Sequence, residues 1–172
     1  TGMIEQDSGS GRYLLGSYAL DVGLSALGRL DPVRLAGHIL ENLCEEIQET
    51  VALAVWGNRG ATIVRIVDSG APITIMLRAG TVLPLCKSAT GQAFAAFFRA
   101  PFLRQMLDEE LREISQAGKI SITTARRQLE KSLTEVRRHG ISRASGSLTP
   151  GINGFSAPVF DHSGMMVAAI TS

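Results

Sequence analysis

Two tight turns constrain the topology of this chain. Gly57-Asn58-Arg59-Gly60 separates "TVALAVW" from "ATIVRIV", and Asp161-His162-Ser163-Gly164 separates "INGFSAPVF" from "MMVAAIT". Each pair of β-branched-rich runs is joined by too few residues for a parallel crossover, so both pairs are expected to form antiparallel hairpins. "ITIMLR" and "ISRASGS" bring the number of strand-like runs to six. The expected fold class is α+β, with a central six-stranded antiparallel-rich sheet flanked by helices.

The helices are marked by their boundaries. Asp31-Pro32 places an N-cap before a proline, and Leu35, Ile39, Leu43 and Ile47 form one apolar face of a helix expected to run to Glu49. Ser88 is the expected N-cap of "ATGQAFAAF". Pro101 leads into a short helix through Leu107. In "TARRQLEKSLTEVRRHG", Thr123 or Thr124 is the expected cap, Leu129, Leu133 and Val136 the stripe, and Gly140 the stop. At the start, "GMIEQDSGSGRYLLG" has hairpin chemistry, and "SYALDVGLSALGRL" spaces Tyr18, Val22, Leu24, Leu27 and Leu30 at roughly helical intervals.

Composition bears on function more than on fold. At 172 residues and 45% hydrophobic, the chain can bury a real core as one domain with a small appendage. A net charge of +1 gives no bulk attraction to nucleic acid or membrane, and the ten basic and six acidic residues from Arg99 to Arg143 read as a solvated helical face. No apolar run approaches the ~20 residues of a membrane span. Cys44 and Cys86 form no CxxC and have no His nearby, which fits a reducing, cytoplasmic setting with neither a zinc site nor a disulfide. The chain begins at Thr1, and it reads as a fragment of a longer protein.

The strong catalytic and cofactor signatures are absent. There is no Walker loop, GxGxxG, GxSxG elbow or HExxH, so no cofactor or metal is expected. "CKSATG" is the one stretch with latent chemistry. Cys86, just ahead of a helix start, could be a nucleophile whose pKa the helix lowers, or part of a loop in which Ser88, Ala89, Thr90 and Gly91 hold an anion through backbone N–H groups. A nucleophile needs a base. His38, His139 and His162 each have a local explanation as helix surface, helix C-terminus and turn, and local sequence leaves both readings open.

In this order and spacing, "GMIEQDSGSGRYLLG", "AGTVLPLCKSATGQAFAAF" and "GINGFSAPVFDHSGMMVAAIT" resemble the IclR family of bacterial transcriptional regulators. Ala157-Pro158-Val159, Asp161, Gly164 and Val167-Ala168-Ala169 are the most specific part of the match. The resemblance implies three parts: residues 1–16 as the wing remnant of a winged helix-turn-helix, 17–30 as a linker helix and 31–172 as a GAF-like effector-binding domain. It also implies a ligand sensor and not an enzyme. A small organic effector would be held at the Ser88 helix by Ala89 and Thr90 backbone N–H groups, with Cys86 and Ser88 in the loop. Ile75, Leu77 and Leu83 would form an apolar wall, and Ser145 and Thr171 would close the site from the sheet.

The other implied partners are a second copy, as homodimer or tetramer, and DNA through a mostly absent winged helix of which Arg12 is the remaining phosphate contact. Three departures stand out: Cys86-Lys87-Ser88 replaces the family's His-Ala-Ser/Thr, Gln92 replaces a Lys, and Ala144-Ser145-Gly146-Ser147 replaces an acidic run. Losing that run removes acceptors for ligand hydroxyls and a repulsion against carboxylates. The alternative function is a GAF-like enzyme using Cys86 as a reactive thiol.

Overall fold

Both tight turns close antiparallel hairpins in the computed structural model, which describes residues 2–7, 9–28, 31–70, 77–99, 101–148 and 150–172, with backbone alone at 27–28 and 31–35. The elements in chain order are β1 (Ile4–Gln6), β2 (Tyr13–Leu15), α1 (Ser17–Gly28), α2 (Asp31–Ile47), β3 (Val51–Gly57), β4 (Gly60–Val67), α3 (Ala89–Phe97), α4 (Leu103–Gly118), α5 (Ile122–His139), β5 (Ser142–Ser145), β6 (Asn153–Phe160) and β7 (Met166–Thr171). They divide into two compact units, Thr1–Gly37 and His38–Ser172. No helix among the described residues is long and apolar enough to cross a membrane.

In the first unit, β1 and β2 pair with Ile4 opposite Leu15 and Gln6 opposite Tyr13. Asp7 holds the turn by accepting from the Ser10 hydroxyl and the Gly9 N–H, and these bonds keep its carboxyl below the ordinary range. Gly16 is required where the hairpin meets α1, because a Cβ there would lie 2.2 Å from the Gly2 carbonyl oxygen. The helix expected over 17–30 runs through Gly28, and residues 29–30 lie outside the described set. Arg12 is exposed beside the turn.

The second unit is built on a five-stranded sheet of order β4-β3-β7-β6-β5, every neighbouring pair antiparallel. The sixth expected strand, "ITIMLR", falls mostly on residues 71–76, outside the described set. Beyond it, residues 80–83 run along β4 through three backbone bonds, including Ile63 N–H to Thr81 O at 2.9 Å and Leu83 N–H to Ala61 O at 2.8 Å. The two tight turns use local chemistry. Gly60 sits at φ +114° after the Asn58-Arg59 loop, and the Asp161 carboxylate accepts from the Ser163 hydroxyl and N–H and from the Met165 N–H.

Helices cover both faces of this sheet. The C-terminal part of α2 lies along β4, where Glu41 pairs with Arg65 at 2.9 Å and the Cys44 thiol donates to the Val67 carbonyl at 3.7 Å. The helix ends two residues before Glu49, because Gln48 turns to φ +55°. On the opposite face α3 is sandwiched between the sheet and an α4–α5 layer, with residues Ala89 to Ala95 all buried. That explains a helix that is apolar on nearly every side.

The outer layer corrects two boundaries. The helix expected to be short through Leu107 is α4, which continues to Gly118 because Leu111 and Ile114 prolong its apolar stripe against α5. The α5 cap is Ser121, whose hydroxyl accepts from the Thr124 N–H, and not Thr123 or Thr124. Gly140 stops α5 at φ +69°.

Candidate functional site

The start of α3 is held in place by three groups. Ser88 is buried and its hydroxyl works twice, accepting from the Gly91 N–H at 2.8 Å and donating to the Pro84 carbonyl at 2.7 Å. Gly91 lets the loop lie directly on the helix, since a Cβ there would come within 2.1 Å of the Pro84 carbonyl oxygen. From α4, the Glu110 carboxylate accepts from the Leu85 and Cys86 N–H groups at 2.7 and 2.8 Å. Among the described residues, nothing accepts from the N–H groups of Ala89 and Thr90. They are free donors at the positive end of a helix.

Facing them, the sheet is paved with small side chains. The register aligns Ala52, Thr171, Ser156 and Ser142 across four strands, with Gly154 and Ala144 paired one step further. Thr171 Oγ1 lies 2.8 Å from Thr90 Oγ1, which places this row under the first turn of α3. Small residues on both surfaces leave a cavity of about 200 Å³. Leu77 and Leu83 wall one side, Leu148 and Ile152 another, and no charged side chain among the described residues lines it. The arrangement can hold a small, mostly apolar molecule and bind one polar end with oriented donors.

The structure gathers six of the expected residues around this cavity: Leu77, Leu83, Ser88, Ala89, Thr90 and Thr171. Ile75 lies outside the described residues. Ser145 is exposed and does not line the cavity, whereas its neighbour Ala144 does. Strand alternation is the reason: Ala144 is opposite Gly154 and shares its face, and Ser145 takes the other. Thr50, Ala52, Leu148, Ile152 and Gly154 were not expected at the site, because their approach depends on sheet register. Glu110 was not expected either, being 24 residues from Cys86 with no local signal between them.

Cys86 lies on the other side of the loop. It lines a second cavity, of about 410 Å³, together with Gln92, Leu111, Leu129 and Ser132 beneath α4 and α5. Burial pushes its thiol up to about 12, helped by the negative charge of Glu110 and opposed weakly by Lys87. No histidine lines either cavity among the described residues. A helix start was expected to be able to lower this pKa, but desolvation and a facing carboxylate win. The nucleophile reading therefore has neither an activated thiol nor, among the described residues, a histidine to serve as its base. Among the described residues no cluster of three or more His, Cys, Asp or Glu is placed to hold a metal.

Comparison with known proteins places the fold in a family. The family model for the bacterial transcriptional regulator IclR C-terminal domain matches residues 24–171. An HTH-type transcriptional regulator, KipR of Bacillus subtilis, is 24% identical over 170 residues, which are 99% of this chain and 66% of that protein. The crystal structure of Pseudomonas aeruginosa HmgR superposes with a TM-score of 0.70 at 37% identity, covering 99% of this chain and 66% of that one. An IclR homolog from Microbacterium hydrocarbonoxydans, solved with 4-hydroxybenzoate, shares the fold with a TM-score of 0.75 at 20% identity, over 99% of this chain and 69% of that one. The chain spans just under two thirds of KipR and HmgR. A sheet of this order, a buried capped helix laid across it and a family match over nearly the whole length lead to one conclusion: the chain belongs to the bacterial transcriptional regulator IclR C-terminal family.

Proposed function

We propose that this chain is the ligand-sensing part of a DNA-binding transcriptional regulator, and that its effector is a small organic molecule bound in the cavity at the start of α3. One observation carries the reading: a cavity of about 200 Å³ with apolar walls, closed at one end by the N–H groups of Ala89 and Thr90, which have no acceptor among the described residues. Residues 1–16 are read as the wing remnant, with Arg12 as a phosphate contact, 17–30 as the linker helix and 31–172 as the effector domain. The protein is read as a cytoplasmic homodimer or tetramer. The effector binds one arrangement of the oligomer better than another, and that differential affinity shifts the DNA-binding state.

Titration calorimetry with 4-hydroxybenzoate, a ligand of one structural relative, tests the site. Thr90→Pro removes a donor and is expected to weaken binding at least tenfold, the equivalent of one hydrogen bond of about 1.5 kcal/mol. Thr90→Ser is expected to bind nearly as well as the wild type. Ala89→Phe should fill the cavity and block binding with the fold retained. If affinity survives both Thr90→Pro and Ala89→Phe unchanged, the ligand sits elsewhere and the reading fails.

A further inference from the structure

We infer that the hydroxyl chain Thr90–Thr171–Ser156 decides which polar group the α3 cavity accepts, by setting whether Thr90 offers the ligand a lone pair or a hydrogen. The inference rests on the reading of that cavity as an effector site. Thr171 Oγ1 donates to Ser156 Oγ at 2.8 Å, and Thr90 Oγ1 lies 2.8 Å from Thr171 Oγ1. A hydroxyl has one hydrogen to give. Since Thr171 commits its hydrogen to Ser156, the bond between the two threonines is donated by Thr90. Thr90 then faces the cavity with lone pairs only, beside the N–H groups of Ala89 and Thr90.

That end of the cavity complements a group carrying an acceptor and a hydrogen side by side, such as a carboxamide or an un-ionised acid. A carboxylate would satisfy the N–H donors but would also meet an oxygen with no hydrogen to offer. Burial keeps water from competing for these hydroxyls. Thr90 and Ser156 are each 1% exposed, and Ser142, opposite Ser156 on β5, is fully buried and carries the one buried side-chain polar atom among the described residues that lacks a hydrogen-bond partner. Reversing the chain would undo the donation from Thr171 to Ser156 and aim the Thr90 hydrogen into the cavity. Ser156 lines no part of the cavity and is a positioning residue, acting through Thr171 and Thr90.

The test is calorimetric titration of the 172-residue chain with benzoate and with benzamide, which match in shape and differ at the group presented to Thr90. In Ser156→Ala, Thr171 has no acceptor left except Thr90, so its hydrogen turns outward and Thr90 donates into the cavity. The ratio of benzoate to benzamide affinity is expected to rise at least tenfold. Thr171→Val removes the middle hydroxyl, frees the Thr90 hydrogen and should move the ratio the same way. Ser156→Thr keeps a hydroxyl and should restore the wild-type ratio. A merely structural loss would weaken both probes alike, and an unchanged ratio in both Ser156→Ala and Thr171→Val overturns the relay while leaving the effector site standing. Failure of the wild type to bind benzoate, benzamide and 4-hydroxybenzoate overturns the site and the relay with it.

Discussion

The two ends of α3 rest on the same sheet and are packed in opposite ways. At the C-terminal end Phe94 is fully buried, its ring centroid 5.7 Å from Trp56 and 5.6 Å from Phe98, with Ala54, Leu85 and Leu103 closing the cluster. At the N-terminal end Ala89 and Thr90 face Ala52, Gly154 and Thr171, and about 200 Å³ stays open. Protein interiors close voids larger than a water molecule almost everywhere. The difference shows that one helix is anchored by large side chains so that its other end can keep a space bordered by free backbone donors.

Phe94→Ala attacks the solid end and is expected to have the largest effect on stability, about 3–5 kcal/mol by denaturant unfolding. A loss under about 1 kcal/mol would mean that the aromatic cluster is not the anchor, and the contrast between the ends would collapse. Glu110→Ala attacks the back of the open end. It leaves the Leu85 and Cys86 N–H groups without their charged acceptor and is expected to cost about 2–3 kcal/mol. The same change removes a carboxylate that raises the Cys86 thiol pKa, so iodoacetamide should label Cys86 faster at mildly alkaline pH. Unchanged labelling would show that burial alone sets that pKa.

The smallest effect is expected from Cys86→Ser, under about 1 kcal/mol in stability and less than twofold in ligand affinity, because the thiol lies behind the loop. Its signature is in the pH profile. The folded state holds the thiol up at about 12, above an unfolded value of roughly 8.5. The neutral thiol is therefore favoured by folding, and its contribution is fully present below about pH 8.5 and is lost as pH climbs toward 12. Chemical denaturation across that window should show a steeper decline for the wild type than for Cys86→Ser. Equal slopes would mean that Cys86 is not held away from water.

Much of the fold was legible because its signals are local. The Asn58-Arg59 loop, the Asp161 turn, the Ser88 cap and the Gly140 stop each depend on a few adjacent residues, and the structure uses all four. The α4 boundary was missed because continuation past Leu107 depends on α5 supplying an apolar surface for Leu111 and Ile114. At the cavity the expected Ser145 gives way to Ala144: a shift of one residue in a strand moves a side chain to the opposite face, and the pairing that sets the parity is made with Asn153 and Gly154 on another strand.

The chain's own order of residues determined that its hairpins are antiparallel, that a capped, nearly all-apolar helix begins after Ser88, and that small residues gather near its start. Short-range sterics and hydrogen bonding suffice for these features. Only the tertiary structure decided what "CKSATG" does. Glu110 reaches it from α4, the sheet register brings Thr171 to Thr90, and the sandwich of α3 between two layers puts Cys86 on one side and the open cavity on the other. Each of these depends on long-range packing and on the desolvation that packing imposes, so the same six residues could have carried a reactive thiol in a different surround.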